Sequence, residues 1–427
     1  MEDLTLFGEI GDAPFGLFYV SPTEVYLEEP YKDRISGNDP GQRFPYTFPG
    51  VGATGFWGKF LPIAVSPAYK VDNVMPYTEH YNFNIQRQIG TTTVLTLAYV
   101  GSQGHHLLAN LPFNPGSPAR CFEINAILAQ SNPAATPCGP GLEDQIYDLG
   151  NGQFAYGTRP YSVTSGRYLS QGLLDFGDNA WTSTLANSSY NSLQVSLEKR
   201  VGALRFLGAY TWGKSLDNGS GYRDYLNPYD QRVDRALSTF NVAHNFVASY
   251  TYDLPLKRLT SSTGGALVKF LDGWAAAGIT RFATGVPVRL SNSGDRSLCG
   301  CGFGIPVDRP DYTGKPLLFF DPRDNPKNQY FSTGPDYFTQ EATGSGGTSA
   351  RRFFRGPGLN NWDFALSKMT HVNERVSLEF RAEFFNLVNH AMFNMSTSSG
   401  NVASSRFGRV SGAQAGRIGQ FGLKVSF

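Results

Sequence analysis

The chain ends on a run in which apolar and polar side chains take turns: Phe421, Leu423, Val425 and Phe427 alternate with Gln420, Gly422, Lys424 and Ser426. A period of two is the signature of a β-strand, whose successive side chains point to opposite faces. The pattern recurs throughout. Tyr81, Phe83 and Ile85 alternate with Asn82, Asn84 and Gln86; after a Gly90-Thr91-Thr92 turn, Leu95, Leu97 and Tyr99 alternate with Thr96 and Ala98. These two runs predict a tight hairpin. Leu193, Val195 and Leu197 turn at Val201-Gly202-Ala203 and return through Phe206, Gly208, Tyr210 and Trp212. Phe246, Ala248, Tyr250 and Tyr252 follow, with a return strand from Trp274 to about Thr284. Trp362, Phe364 and Leu366 then lead through His371–Arg375 into Val376, Leu378, Phe380, Ala382 and Phe384, opposed by Glu379, Arg381 and Glu383. Counting back from Phe427 gives nine strands from about residue 81 onward. An even-stranded barrel asks for a tenth, within residues 4–20, where Phe15, Leu17 and Tyr19 alternate.

Alternation alone fits a soluble sandwich as well as a membrane barrel, and the connections separate the two. Short ones near residues 90, 202 and 372 interleave with long ones at roughly 101–190, 213–243, 285–360 and 387–416, and the one at 255–272 is intermediate. Outer-membrane barrels have short periplasmic turns and long extracellular loops, whereas long structureless loops are uncommon in compact soluble domains. Strands cross hydrocarbon only in a closed sheet, because every backbone polar group must find a partner there. Tyr99, Tyr210, Trp212, Tyr250, Tyr252, Trp274 and Trp362 fall near strand ends, where aromatic girdles sit at the headgroup level. The expected fold is therefore all-β, an antiparallel up-and-down transmembrane β-barrel with long extracellular loops, placed in the outer membrane against lipid and lipopolysaccharide.

Composition supports this reading. Only 17% of residues are charged and 14% are aromatic, while 48 Gly and 26 Pro supply turns. No stretch approaches the ~20 apolar residues of a membrane helix. A net charge of +1 gives no basic face for nucleic acid. Met1-Glu2-Asp3-Leu4 has neither the basic start nor the apolar core of a secretory signal, so the chain is expected to be the tail of a longer one.

Constellations for catalysis do not emerge. HExxH, GxSxG and Cys-x-x-Cys patterns are absent from the sequence, and the expectation is a protein that is not an enzyme and holds no cofactor. All four cysteines fall in predicted loops. A Cys121–Cys138 bridge suits an oxidising exterior, a bridge across the single residue of Cys299-Gly300-Cys301 is strained, and a metal site would need both pairs to converge. His105-His106 stands at a predicted strand-to-loop boundary, where neighbours point to opposite faces. Asp217, Asn218, Ser220 and Asp224 hint at calcium ligation without EF-hand spacing, so a solvated loop is the better reading. Arg351, Arg352 and Arg355 with Phe353 and Phe354 form a basic-aromatic patch, either plain loop or a contact for lipopolysaccharide phosphates.

Several segments also carry a family likeness, in order. They are Tyr81-Asn82-Phe83-Asn84-Ile85-Gln86-Arg87-Gln88, Ala98-Tyr99-Val100-Gly101-Ser102-Gln103-Gly104-His105-His106-Leu107 and Asn191-Ser192-Leu193-Gln194-Val195. Tyr210-Thr211-Trp212-Gly213-Lys214-Ser215-Leu216-Asp217, Phe240-Asn241-Val242-Ala243-His244-Asn245-Phe246-Val247 and Phe380-Arg381-Ala382-Glu383-Phe384-Phe385-Asn386 complete the set. Over roughly residues 75–427 the chain resembles the C-terminal barrel of Oar-like TonB-dependent receptors, a family prominent in acidobacteria. The resemblance implies a 22-stranded barrel filled by an N-terminal plug, preceded by a motif for the inner-membrane energy-coupling protein. Residues 1–427 would then be a partial barrel of about ten strands, lying mainly within 4–20 and 75–427, with plug and signal peptide absent. The coupling protein would act only through the missing N-terminal part. The implied function is energised uptake of a bulky nutrient (sugar, peptide or chelate). The alternatives are a passive pore or surface adhesin, and a secreted β-sandwich binding module. Phe421, Leu423, Val425 and Phe427 resemble the signal read by the barrel-assembly machinery.

Overall fold

Nine long strands succeed one another in an antiparallel meander. The computed structural model describes residues 67–162, 176–221, 224–259, 265–302 and 306–427, with isolated positions 28, 61 and 174. The strands are β1 (Tyr77–Ile89), β2 (Thr93–Pro112), β3 (Ala180–Lys199), β4 (Leu204–Asp217), β5 (His244–Asp253), β6 (Trp274–Ala283), β7 (Leu359–His371), β8 (Ser377–Phe385) and β9 (Ile418–Ser426). Each pairs with its neighbours in the chain, so sheet order is sequence order. Two short strands extend the sheet: Pro67–Tyr69 runs parallel to the start of β3, and Ala236–Leu237 pairs with the end of β4. The nine alternating runs of the sequence each fall in one long strand, while the strand expected within residues 4–20 lies outside the described residues. β1 and β9 are the two edges of the described sheet.

The register turns the alternation of single strands into two continuous faces. On one face Ile85, Leu97, Val195, Tyr210, Phe246 and Phe282 stand side by side across six strands. The next row toward the long connections holds Phe83, Tyr99, Leu193 and Trp212. Toward the other edge the same face continues through Phe206, Tyr250, Phe364 and Phe384, then Tyr252, Leu366 and Phe421. The opposite face carries Gln86, Thr96 and Ser196 in one row, and Asn84, Gln194, Thr211 and Asn245 in another. It continues to Glu383 beside Gln420 and Glu379 beside Lys424.

Among the described residues the apolar face is left exposed. Phe83 is 66% exposed, Trp212 56% and Phe421 72%, among many other large apolar side chains. A soluble monomer rarely shows an apolar patch beyond a few hundred Å², and this one spans the whole sheet. Bulky rings also cover glycines across strands. A Cβ on Gly101 would lie 2.0 Å from the Tyr81 ring, and one on Gly278 would lie 2.5 Å from the Tyr250 hydroxyl. This aromatic-over-glycine packing pins register.

The ends of the strands differ from the predicted boundaries. β2 and β3 run 20 residues each, so their connection is 113–179 rather than 101–190. β4 reaches Asp217, leaving 218–243, and the remaining long connections are 284–358 and 386–417. The pairing of β2 and β3 outlasts the apolar pattern because Ser102, Gln103, Asn110, Ser183 and Ser188 satisfy a hydrogen-bonded ladder without an apolar face. His105-His106 therefore lies within β2, at a bulge where His106 has φ 56°, and Tyr77 stacks on His105.

The long connections fold into a cap. The longest helix among its described residues, α1 (Pro118–Ser131), starts where Ser117 accepts a hydrogen bond from the Arg120 N–H and Pro118 presets the first turn. α1 buries Cys121, Ile124 and Leu128 against Tyr147, Ala155 and Leu298. A second cluster gathers Val288, Leu290, Phe331, Phe338 and Phe354.

Candidate functional site: the polar face and its cap

Two surfaces can meet a solute: the polar face of the sheet and the cap where the long connections converge. Two adjacent rows of the polar face, Glu198, Leu207, Ser249, Ile279 and Asp363, and Arg205, Thr251, Ala277, Ala365 and Glu383, line a trough of about 570 Å³. Its mixture of charges with exposed Leu207 and Ile279 departs from the amide-rich rows closer to β1.

In the cap, ion pairs that no local pattern announces tie the connections together. Arg351 holds Asp217 at 2.6 Å and Asp224 at 3.0 Å, Arg289 holds Asp224 at 2.9 Å, and Arg352 stands 3.7 Å from Asp224. Burial opposes ionisation of Asp224, but Arg289, Arg351 and Arg352 together keep its carboxyl below the usual range. Arg352 pays for this crowding: burial first, then the Arg351 charge, push its pKa down to about 10. A separate buried pair joins Arg309 to Asp234 at 2.6 Å.

These contacts revise two readings of the sequence. Asp217, Ser220 and Asp224 do not form the solvated loop that the sequence suggested: Asp217 is buried, Arg351 from more than a hundred residues away occupies both carboxylates, and Ser220 Oγ donates to Asp217 at 2.7 Å. Asn218 instead bridges strands, accepting from the Asn187 N–H at 2.6 Å. Arg351 and Arg352 are 2% and 3% exposed, so they are internal struts rather than a surface patch for lipopolysaccharide.

The cysteines lie together in the cap. Cys121 is bonded to Cys138, pinning α1 to the chain that follows it. Cys299 is bonded to Cys301, the bridge that the spacing disfavoured; Gly300 adopts φ +54°, which closes the turn between them. The two bridges take up all four cysteines. Gly300 also packs against Glu143 and Arg159. Arg159 grips Asp144 at 2.7 Å and the Asn114 and Cys299 carbonyls. Glu143 and Asp295 both accept from the Gly141 N–H, at 3.1 and 3.0 Å, so two carboxyls converge on one donor. Burial, then the hydrogen bond and charge of Asp295, push the Glu143 pKa up to about 8.

The closing strand contributes differently. Phe421, Leu423 and Val425 project from β9 on the apolar face, Phe421 stacked on Phe380 and edge-on to Phe384; Phe427 follows the strand and is 98% exposed.

A wall with one apolar and one polar face, short turns at one end and a folded cap at the other, is the architecture of an outer-membrane β-barrel protein. The sequence profile of the outer membrane beta barrel domain family matches residues 13–420; the chain belongs to that family, and its place is the outer membrane. Among solved structures, it is similar to the outer membrane transporter YddB from Escherichia coli (TM-score 0.40, 10% identity, covering 85% of this chain and 34% of that one). It is also similar to the ferric-catecholate import receptor Fiu from Escherichia coli K12 (TM-score 0.34, 8% identity, 92% and 31%). The chain thus spans about a third of the length of these proteins. No curated protein matches the sequence.

Proposed function

We propose that the chain is part of the barrel wall and outer cap of a TonB-dependent receptor of the Oar-like type, which in full length takes up a bulky nutrient by energised transport. The observation that carries this reading is the two-faced register. One face suits lipid, the other suits a water-filled or plugged lumen, and the long connections form a cap suited to meet a solute first. The ordered run of Oar-like segments, from Tyr81 to Asn386, supports the assignment within barrels. In this reading the nine strands belong to a larger closed barrel, and the long connections face the exterior. The chain holds its place against lipid and lipopolysaccharide and performs no catalysis. The β9 residues Phe421, Leu423 and Val425, with Phe427, are offered to the assembly machinery. Coupling to the inner membrane belongs to the plug and coupling motif of the whole receptor rather than to these strands.

The test is uptake by the native cell. Deleting the gene should abolish growth on one bulky nutrient, and collapsing the proton-motive force should do the same to the wild type. Steady conductance through planar bilayers by the purified chain alone, with uptake indifferent to the proton-motive force, would instead establish a passive pore.

A further inference from the structure

A second cavity lies where the polar face meets the cap. It has a volume of about 410 Å³ and is walled by the end of β6, the chain leaving it, the start of β7 and residues 392–397. This is the size range of small-molecule sites. Its apolar surface comes from Val286, Leu359, Met392 and Met395. Its cations are Arg281 and Arg289, and no carboxylate lines it.

The two arginines are held differently. Arg289 is fixed, its Nη1 on Asp224 at 2.9 Å and its Nη2 on the Pro306 carbonyl at 3.3 Å. Arg281 is anchored only through Nε, which donates to Asn245 at 3.1 Å; its two Nη groups have no partner among the described residues. Behind Arg289, three guanidiniums (Arg289, Arg351 and Arg352) share two carboxylates, Asp217 and Asp224. The wall of the cavity therefore carries an uncompensated positive charge, and the exposed Arg281 guanidinium lines it beside thioether and branched apolar side chains. A forked pair of N–H donors matches a carboxylate or sulfonate.

We infer that this cavity binds a small organic anion with an apolar body, its acid group on Arg281 and its body against Val286, Met392 and Met395. The site deepens the receptor reading above and rests on it, since it assigns the class of solute the cap would meet. A lipid or lipopolysaccharide headgroup does not suit it. Arg281 belongs to the row of Thr96, Ser196 and Val247, on the face opposite the apolar one, so the acid must arrive from the aqueous side.

The experiment uses the whole receptor that contains this chain, folded in lipid nanodiscs and titrated by calorimetry with 2-naphthoate and its neutral analogue 2-naphthylmethanol. Saturable binding of the naphthoate at one site is expected, well above that of the alcohol. Arg281→Gln should weaken the naphthoate by about 10- to 100-fold, as expected for a lost charge-assisted hydrogen bond, and leave the alcohol unchanged. Val286→Trp, which fills the cavity, should abolish both. Equal affinity for acid and alcohol, unaltered naphthoate binding by Arg281→Gln, or no saturable binding at all would each overturn the inference. Heat-modifiable gel mobility measured on the same samples separates the two claims. A heat-modifiable wall without binding removes the anion site alone, whereas loss of heat-modifiable behaviour in the wild type removes the receptor reading and the site with it.

Discussion

Leu97 is 41% exposed, flanked by Ile85 and Val195 on the apolar face. Its neighbour Thr96 sits between Gln86 and Ser196 on the polar face. Were the sheet a soluble one, Leu97→Arg would be an ordinary surface change costing no more than about 0.5 kcal/mol. In a bilayer the outcome differs. Leu97 lies in the fifth position of β2 after the short turn, near the middle of a membrane strand of about 9–11 residues. A lipid-facing arginine near the midplane costs about 2–4 kcal/mol, which is about 30- to 700-fold in the folding equilibrium. Thr96→Arg, facing the polar side, should stay within about 0.5 kcal/mol. Guanidinium titration of the whole receptor containing this chain, folded in vesicles, followed by tryptophan fluorescence and extrapolated linearly, measures both. Equal costs for the two variants, in either direction, refute the assignment of faces.

Replacing both Phe421 and Phe427 by Asp should leave most of the protein out of the outer membrane, scored by the fraction showing heat-modifiable mobility; an unchanged fraction removes the targeting role of the strand. Glu143 gives the cap a pH dependence of known sign. Its folded pKa of about 8 exceeds the ordinary 4.5, so its contribution is fully present below about pH 4.5 and is lost as pH rises toward 8. One proton changes stability by at most about 1.4 kcal/mol per pH unit across that window. Hydrogen exchange of residues 113–179 should accelerate from pH 5 to pH 8 beyond the intrinsic rate, and Glu143→Gln should flatten the excess; an equal excess in the variant would exclude Glu143 as its source.

The wall was legible because its physics is local. A strand with one face in lipid and one in a polar environment writes period two into consecutive residues, and Leu193 to Glu198 or Gln420 to Ser426 need no distant partner to be read. The same cue faded where β2 and β3 leave the apolar band: from Ser102 to Asn110 the backbone still pairs, but the side chains no longer alternate. α1 left a readable trace in Ser117-Pro118 and in the spacing of Cys121, Ile124 and Leu128, hidden among loop-like neighbours. The cap's interior left none. Asp217 and Asp224 read as part of a solvated loop because nothing near them in the chain reveals that Arg351 lies 134 and 127 positions away. Arg281 reads as one more charge in a strand of weak alternation. Only the fold shows that its guanidinium opens into a cavity without carboxylates.

The central claim is that one face of this sheet meets lipid and the other does not. Nitroxide labels placed singly at residues 193 to 198 of β3, with the whole receptor in vesicles, test it most directly. The account predicts oxygen-accessibility maxima at Leu193, Val195 and Leu197, and maxima for a water-soluble nickel chelate at Gln194, Ser196 and Glu198. Accessibility to the chelate at all six positions, or oscillation in the opposite phase, would contradict it.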